Sequence, residues 1–313
     1  MQAANTRTSI RIGTRGSPLA MAQAQEVRRR LMAAHGLPEQ RFEIRPIKTS
    51  GDRLADRPLA DAGGKGLFTK EIEDALIDHE IDLAVHSMKD MTSVLPAGLA
   101  IGAVLERADV RDAFISLKYP RLADLPAGAV VGTSSLRRRA FLARMRPDLR
   151  LVHFRGNVDT RLAKLEAGLA DATVLAAAGL ERLHAANRIT ALIPVEDMLP
   201  AVAQGAIAVQ VRDTDQDARR LLAAINHEPT ALCVAAERAF LARLDGSCRT
   251  PIAGLARLDG ARLQFRGMVL APDGSTAFEA SRSGSPAAAL ALGEAAAEEV
   301  LSKAGPAFLA GLR

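Results

Sequence analysis

The chain contains no tryptophan and a single tyrosine, and aromatic residues make up only 3% of its 313 residues. Proteins that hold single-stranded nucleic acid stack its bases on aromatic side chains, so this scarcity argues against such a partner. Cysteine is almost as scarce. Cys233 and Cys248 are the only two, and neither stands in a Cys-x-x-Cys spacing, which removes the disulfide-stapled and zinc-ribbon classes. No apolar run approaches the length of a membrane span, and the first ten residues lack the apolar middle of a secretory signal. The expected compartment is therefore the cytoplasm, with no membrane partner.

What the chain does have is apolar residues and arginine. Hydrophobic residues account for 48% of the sequence, enough for substantial cores, and the length suggests two or three domains. The formal net charge of +5 suits an anionic partner. With aromatics so few, small anions are favoured over nucleic acid.

The pattern along the chain alternates between strands and helices. Ser9 to Thr14 reads as a strand, and Ser17-Pro18 as an N-cap followed by proline at the first position of a helix reaching about His35. Phe42 to Lys48 reads as a second strand, and Thr49 to Gly66, rich in Asp, Arg and Gly, as a loop. Leu67 to Asp78 has helical spacing, and Ile81 to Val85 is a short apolar run ending at His86-Ser87-Met88-Lys89-Asp90. The pattern then recurs from Ala129 to Gly132, with Val131-Gly132-Thr133 matching Ile12-Gly13-Thr14. Further strands are expected at Leu151 to Phe154, Ala172 to Ala176 and Val202 to Val211. Such alternation predicts two doubly wound α/β units with ligands at the carboxyl ends of the strands, facing a shared cleft. After Pro229 the order changes to a helix, three strands and an alanine-rich helix, which predicts a small α+β domain.

Arginine gathers at the strand-to-helix junctions: Arg15, Arg137 with Arg138, then Arg155 and Arg161. Guanidinium forks match carboxylates, and helix amino termini add positive potential at the same place. An isolated basic triplet such as Arg137 to Arg139 is ordinarily a solvated helix face. Its recurrence at equivalent junctions points instead to a substrate bearing several carboxylates. Asp90, after Lys89 at a strand end, could stabilise a cationic intermediate or could be half of a surface ion pair. His86 has no carboxylate partner at a recognisable spacing and reads as structural. Cys233 lies in an apolar helical run and reads as a buried small hydrophobe. Cys248 stands in the polar turn Asp245-Gly246-Ser247-Cys248-Arg249-Thr250, where a thiol beside an arginine is open to chemistry.

Seven segments, in order, resemble the porphobilinogen deaminase family. They are Gly13-Thr14-Arg15-Gly16-Ser17-Pro18-Leu19-Ala20, Gly63-Gly64-Lys65-Gly66-Leu67-Phe68, Ala84-Val85-His86-Ser87-Met88-Lys89-Asp90 and Val131-Gly132-Thr133-Ser134-Ser135-Leu136-Arg137-Arg138, followed by Arg155-Gly156-Asn157-Val158-Asp159-Thr160-Arg161-Leu162, Leu199-Pro200-Ala201-Val202-Ala203-Gln204-Gly205 and Gly246-Ser247-Cys248. The resemblance implies two lobes like those of periplasmic binding proteins, formed by residues 1–105 with 200–224 and by 106–199, and a C-terminal α+β domain at 225–313. It implies a transferase of tetrapyrrole biosynthesis that condenses four porphobilinogen molecules head to tail into hydroxymethylbilane, releasing ammonia. It further implies one dipyrromethane cofactor per chain, joined by a thioether to Cys248, and no metal.

By the same resemblance Asp90 is the central catalyst. Lys89, Asp90, Thr133, Ser134, Ser135, Arg137, Arg138, Arg155 and Gly156 would hold the cofactor. Arg15, Ser17, Lys65, Arg155, Arg161, Arg182 and Gln204 would hold the substrate. Some members carry a basic residue four places before the glycine-flanked lysine, and Asp61 stands there in this chain. The family also implies a monomer. The competing reading is a two-lobed anion-binding protein without catalysis.

Overall fold

A computed structural model describes residues 9–53, 66–244 and 250–311. The chain falls into two compact units, one formed by residues up to Arg107 together with Ala206–Ala231, the other by Ala108–Gly205 together with the chain from Leu232.

The first unit opens with β1 (Ile10–Arg15) and α1 (Pro18–His35), then β2 (Phe42–Ile47), a single turn α2 (Ser50–Arg53), α3 (Lys70–Ile77), β3 (Leu83–Ser87) and β4 (Leu99–Val104). Ser17 caps α1 as its sequence suggests, its Oγ accepting from the Ala20 N–H at 3.3 Å, and Gly36 ends the helix in the left-handed region. Where a loop was expected from Thr49 the chain first makes the turn α2, with Asp52 Oδ2 accepting from the Thr49 hydroxyl and N–H. The helix expected from Leu67 starts three residues later, after a turn.

The chain next enters the second unit with β5 (Asp112–Ile115), β6 (Val130–Gly132), α4 (Leu136–Met145), β7 (Arg150–Val152), α5 (Val158–Glu166), β8 (Ala172–Ala176), α6 (Ala177–Arg182) and β9 (Ala191–Ile193). It returns to the first with β10 (Ile207–Arg212) and α7 (Gln216–Ala223), and α8 (Glu228–Arg243) leads on to β11 (Ile252–Asp259), β12 (Arg262–Leu270), β13 (Ala277–Gly284) and α9 (Ala289–Gly311). The strand expected from Val202 starts only at Ile207, because Ala203 and Gly205 adopt positive φ and turn the backbone out of the extended region.

The two large sheets have the same construction. In the first, the order is β2-β1-β3-β10-β4, with β1 parallel to β2 and β3, and β10 antiparallel to β3 and β4. In the second, the order is β7-β6-β8-β5-β9, with β6 parallel to β7 and β8, and β5 antiparallel to β8 and β9. The odd-polarity strand is the returning one in the first unit and the entering one in the second. Each unit is thus a doubly wound α/β layer, as the sequence predicts. The third sheet, β11-β12-β13, is an antiparallel meander.

Cores follow from these layers. In the first unit Ile10, Ile12, Leu83, Val85 and Val209 of the sheet pack with Val27 and Leu31 of α1. In the second, Phe114, Val131 and Val174 join Leu255, Met268 and Leu270 of the meander in one cluster, which is why the C-terminal region belongs to the same compact unit. Phe240 of α8 lies on Phe265 with ring centroids 5.1 Å apart, over Gly267, where a Cβ would stand 2.6 Å from the Phe240 ring. No described helix is long and apolar enough to cross a membrane.

Candidate active site

In the first unit the carboxyl ends of the adjacent parallel strands β1 and β3 carry Arg15 and the turn Met88–Asp90. Arg15 ion-pairs with Asp52 and lies over the Phe68 ring, its guanidinium carbon 4.3 Å from the centroid. Burial alone would raise the Asp52 carboxyl, but hydrogen bonds from Arg15 and Thr49 outweigh it and hold the group below the usual carboxylate range. Gly51 is needed here, since a Cβ would stand 2.2 Å from the Phe68 ring. Lys89 and Asp90 are half-buried, and Met88 anchors their turn in the core. Among the described residues no group hydrogen-bonds the Asp90 carboxylate.

His86 lies on β3 four residues before Asp90, buried, with Nε2 3.0 Å from Gln210 Oε1. The Gln210 amide in turn donates to Glu73 Oε1 at 3.0 Å, and the Thr69 hydroxyl to Glu73 Oε2 at 3.2 Å. Burial pushes the His86 imidazole down to about 4, against the opposing Gln210 bond and with a small push from Arg15, so it is neutral. This is the structural role its sequence context indicates.

In the second unit β6 is followed by Thr133, whose N–H donates to the Val152 carbonyl, and Ser135 caps α4 by accepting from the Arg138 N–H at 3.4 Å. Gly132 is pressed against Phe154, where a Cβ would stand 2.4 Å from the ring. Arg137 and Arg138 do not form the solvated face that a basic triplet usually makes: each is only 5% exposed. Both pair with Asp112, which is fully buried, Arg137 Nη2 donating to Oδ2 at 2.7 Å and Arg138 Nη2 to Oδ1 at 2.8 Å. Burial would raise the Asp112 carboxyl, but the two guanidiniums outweigh it and hold it at about 2. Gln204 also donates to Asp112 Oδ1, at 3.1 Å, and to the Val110 carbonyl at 2.8 Å.

The remaining candidates cluster nearby in the fold. Arg155 follows β7, and Gly156 turns with φ at 114° so that Asn157 can cap α5, accepting from the Thr160 N–H at 2.8 Å. Arg161 Nε donates to the Gly156 carbonyl at 2.9 Å, and Arg182 Nη2 to the Gly205 carbonyl at 2.8 Å. Three buried polar atoms at the ends of β6 and β7 have no partner among the described residues: Ser134 Oγ, Arg137 Nε and Arg155 Nη1. Buried donors are rarely left unmade, so these sites fit a ligand carrying acceptors. Lys65, Asp61 and Cys248 lie outside the described residues, while Cys233 is buried as expected. Among the described residues no His, Cys, Asp and Glu side chains group as a metal site.

Comparison with known proteins decides the family. The profile described as "Porphobilinogen deaminase, dipyromethane cofactor binding domain" matches residues 10–220, and the one described as "Porphobilinogen deaminase, C-terminal domain" matches 231–302. The chain belongs to the porphobilinogen deaminase family. A porphobilinogen deaminase of Paracoccus denitrificans is 59% identical over 303 residues, covering 97% of each chain. One of Nitrobacter hamburgensis is 54% identical over 297 residues, covering 95% of this chain and 94% of the other. Among solved structures, the methionine-binding protein MetQ aligns over 74% of this chain and 95% of its own at 11% identity, with a TM-score of 0.45. The chain is accordingly an enzyme, a transferase, and residues 10–220 are its dipyrromethane-binding domain.

Two buried carboxylates of the chain were not legible as site residues in the sequence. Asp112 sits in an acidic and basic surface-like string, Asp109-Val110-Arg111-Asp112, with nothing local to mark it as the partner of arginines 25 residues on. Glu237, in the middle of α8, is fully buried and accepts from the Ala203 N–H at 2.6 Å and the Ala256 N–H at 2.8 Å. It thereby holds the Ala201–Gly205 turn that carries Gln204. A glutamate in an apolar helical stretch is the one hint the sequence offers.

Proposed function

We propose that this chain condenses four porphobilinogen molecules into hydroxymethylbilane with Asp90 as the catalytic carboxylate and Cys248 as the attachment point of a dipyrromethane cofactor. The observation that carries the reading is the set of unpartnered buried donors, Ser134 Oγ, Arg137 Nε and Arg155 Nη1, at the carboxyl ends of β6 and β7. Acetate and propionate side chains supply the acceptors those donors lack. Once bound, the dipyrromethane supplies the free pyrrole carbon on which the chain grows.

The protein's own groups bind, orient and balance charge. Thr133, Ser134, Ser135, Arg137, Arg138, Arg155 and Gly156, with Lys89 and Asp90, hold the cofactor. Arg15, Ser17, Lys65, Arg155, Arg161, Arg182 and Gln204 hold the carboxylates and other polar groups of incoming substrate. Asp90 follows a buried strand on a short turn anchored by Met88, so its carboxylate is preorganised to accept from pyrrole N–H groups. It offsets the positive charge that develops on the substrate as ammonia leaves, an effect worth on the order of several kcal/mol in a preorganised site. Three functional regions serve this reaction, residues 1–105 with 200–224, 106–199 and 225–313. The enzyme acts as a cytoplasmic monomer with porphobilinogen, and no nucleic acid or membrane, as its partner.

The test is the denatured intact mass of wild-type protein beside Cys248→Ser. A thioether survives denaturation, so wild type alone should carry the mass of two linked pyrroles, with single-unit steps after brief exposure to porphobilinogen. No adduct on wild type after that exposure sinks the reading and leaves either an inactive relative or a non-catalytic anion-binding protein. Asp90→Asn should fold, keep the adduct and turn over very slowly; near-normal turnover removes Asp90 from the mechanism.

A further inference from the structure

The buried cluster at the start of α4 holds two guanidiniums and one carboxylate, so its charges sum to +1 − 1 + 1, a net of +1, with all three side chains withdrawn from solvent. The two arginines are not equivalent. Arg138 donates Nε and Nη2 to Asp112 Oδ1 and Nη1 to the Val174 carbonyl, so each of its nitrogens has a protein partner. Arg137 donates Nη2 to Asp112 and Nη1 to the Leu199 carbonyl, while its Nε is the donor left over. One carboxylate shared by two guanidiniums neutralises one and leaves the other's charge in place, next to the amino terminus of a ten-residue helix. Gln204 also donates to Oδ1, the oxygen that Arg138 holds.

We infer that Asp112 is a positioning residue that sets the charge of this anion-binding end at +1, with Arg138 contributing its charge to the ligand through the pair with Asp112 and Arg137 contributing the free donor that a ligand carboxylate takes. The inference rests on the reading above that the end of β6 receives carboxylates. An excess of one unit of buried positive charge suits one carboxylate from a ligand, and the partly unmade donor set of Arg137 with Ser134 Oγ is where it docks. Without Asp112 the site would stand at +2; without Arg138, the remaining Asp112–Arg137 pair would be neutral. A carboxylate that merely braced α4 would make both changes weaken anion binding. A charge setting moves them in opposite directions.

The test uses the full-length chain in a Cys248→Ser background, with inorganic sulfate as the probe at constant ionic strength. Sulfate affinity is read from the dependence of Tm on sulfate, and folding from far-ultraviolet circular dichroism. Asp112→Asn should bind sulfate at least tenfold more tightly than the parent and Arg138→Gln at least tenfold more weakly, a floor well below the roughly thousandfold that one unit charge about 4 Å away gives at an effective dielectric of about 20. Weakening in both variants, or affinities unchanged in both, overturns the inference. If Asp112→Asn does not fold even in sulfate, Asp112→Ser takes its place, and weaker or unchanged sulfate binding in that variant overturns the inference. The outcome is independent of the intact-mass experiment: a missing adduct defeats the proposed function while leaving the order of sulfate affinities readable, and an adduct can be present with the sulfate affinities equal.

Discussion

His86→Gln removes the one imidazole that burial holds near pKa 4, and the change should be visible as a loss of pH dependence rather than of fold. In the unfolded chain this ring titrates near 6.5; in the folded chain it does so at about 4. Its folded pKa is lowered, so folding expels a proton while the pH lies between about 4 and 6.5. The stability it permits is therefore fully present above pH 6.5 and is lost as the pH falls towards 4. A difference of about 2.5 pH units at 1.36 kcal/mol each amounts to about 3 kcal/mol over the whole window, of which about 1.5 kcal/mol falls between pH 6.5 and 5. That upper part of the window lies above the range of carboxylates such as Asp52, whose pKa values are lowered and whose contribution disappears only in stronger acid. Glutamine can still donate an amide N–H towards Gln210 but does not titrate. Urea denaturation of wild type and variant at pH 7, 6, 5.5 and 5 should show the wild type losing stability faster as the pH falls. The wild-type His86 ring, followed by nuclear magnetic resonance, should titrate near 4. A ring that titrates near 6.5, or parallel pH profiles for the two proteins, refutes the argument that desolvation keeps this histidine neutral.

Glu237→Gln should destabilise the second unit by about 2–4 kcal/mol, because the amide keeps one acceptor oxygen but turns an NH2 towards the second of two buried backbone donors. Differential scanning calorimetry should show Tm falling by several degrees, and a shift within one degree would contradict that account. Gly205→Ala should cost at least about 2 kcal/mol, since the residue sits at φ +87° and the new Cβ would stand 2.7 Å from the Ala108 carbonyl oxygen. Activity should fall with it, because the Gly205 carbonyl holds Arg182; full activity at normal Tm would show that the turn relaxes freely.

Much of the fold was readable because it rests on local chemistry and period. Ser17 caps its helix where the sequence places it, and the matching Ile12-Gly13-Thr14 and Val131-Gly132-Thr133 junctions do occupy equivalent strands, β1 and β6, of two sheets with the same order. The expected strand from Val202 failed at its first half because periodicity registers apolar alternation but not backbone sign. Ala203 is turned by a hydrogen bond to a glutamate 34 residues away. Arginines at strand ends pointed to anion chemistry from the sequence, whereas which nitrogen is left for a ligand depends on Asp112, and no spacing rule links residue 112 to residues 137 and 138.

The sequence by itself therefore determined the family, the alternation of strands and helices, the caps and the residue types gathered at the strand ends. These depend on contacts within a few positions or on side-chain identity. Only the tertiary structure decided that Arg137 and Arg138 share one buried carboxylate, that Asp52 occupies Arg15, and that His86 is neutral within a polar chain through Gln210 to Glu73. The reason is physical: the cost of burying a charge is set by whichever groups the fold brings within a few ångström, and those groups are distant in sequence.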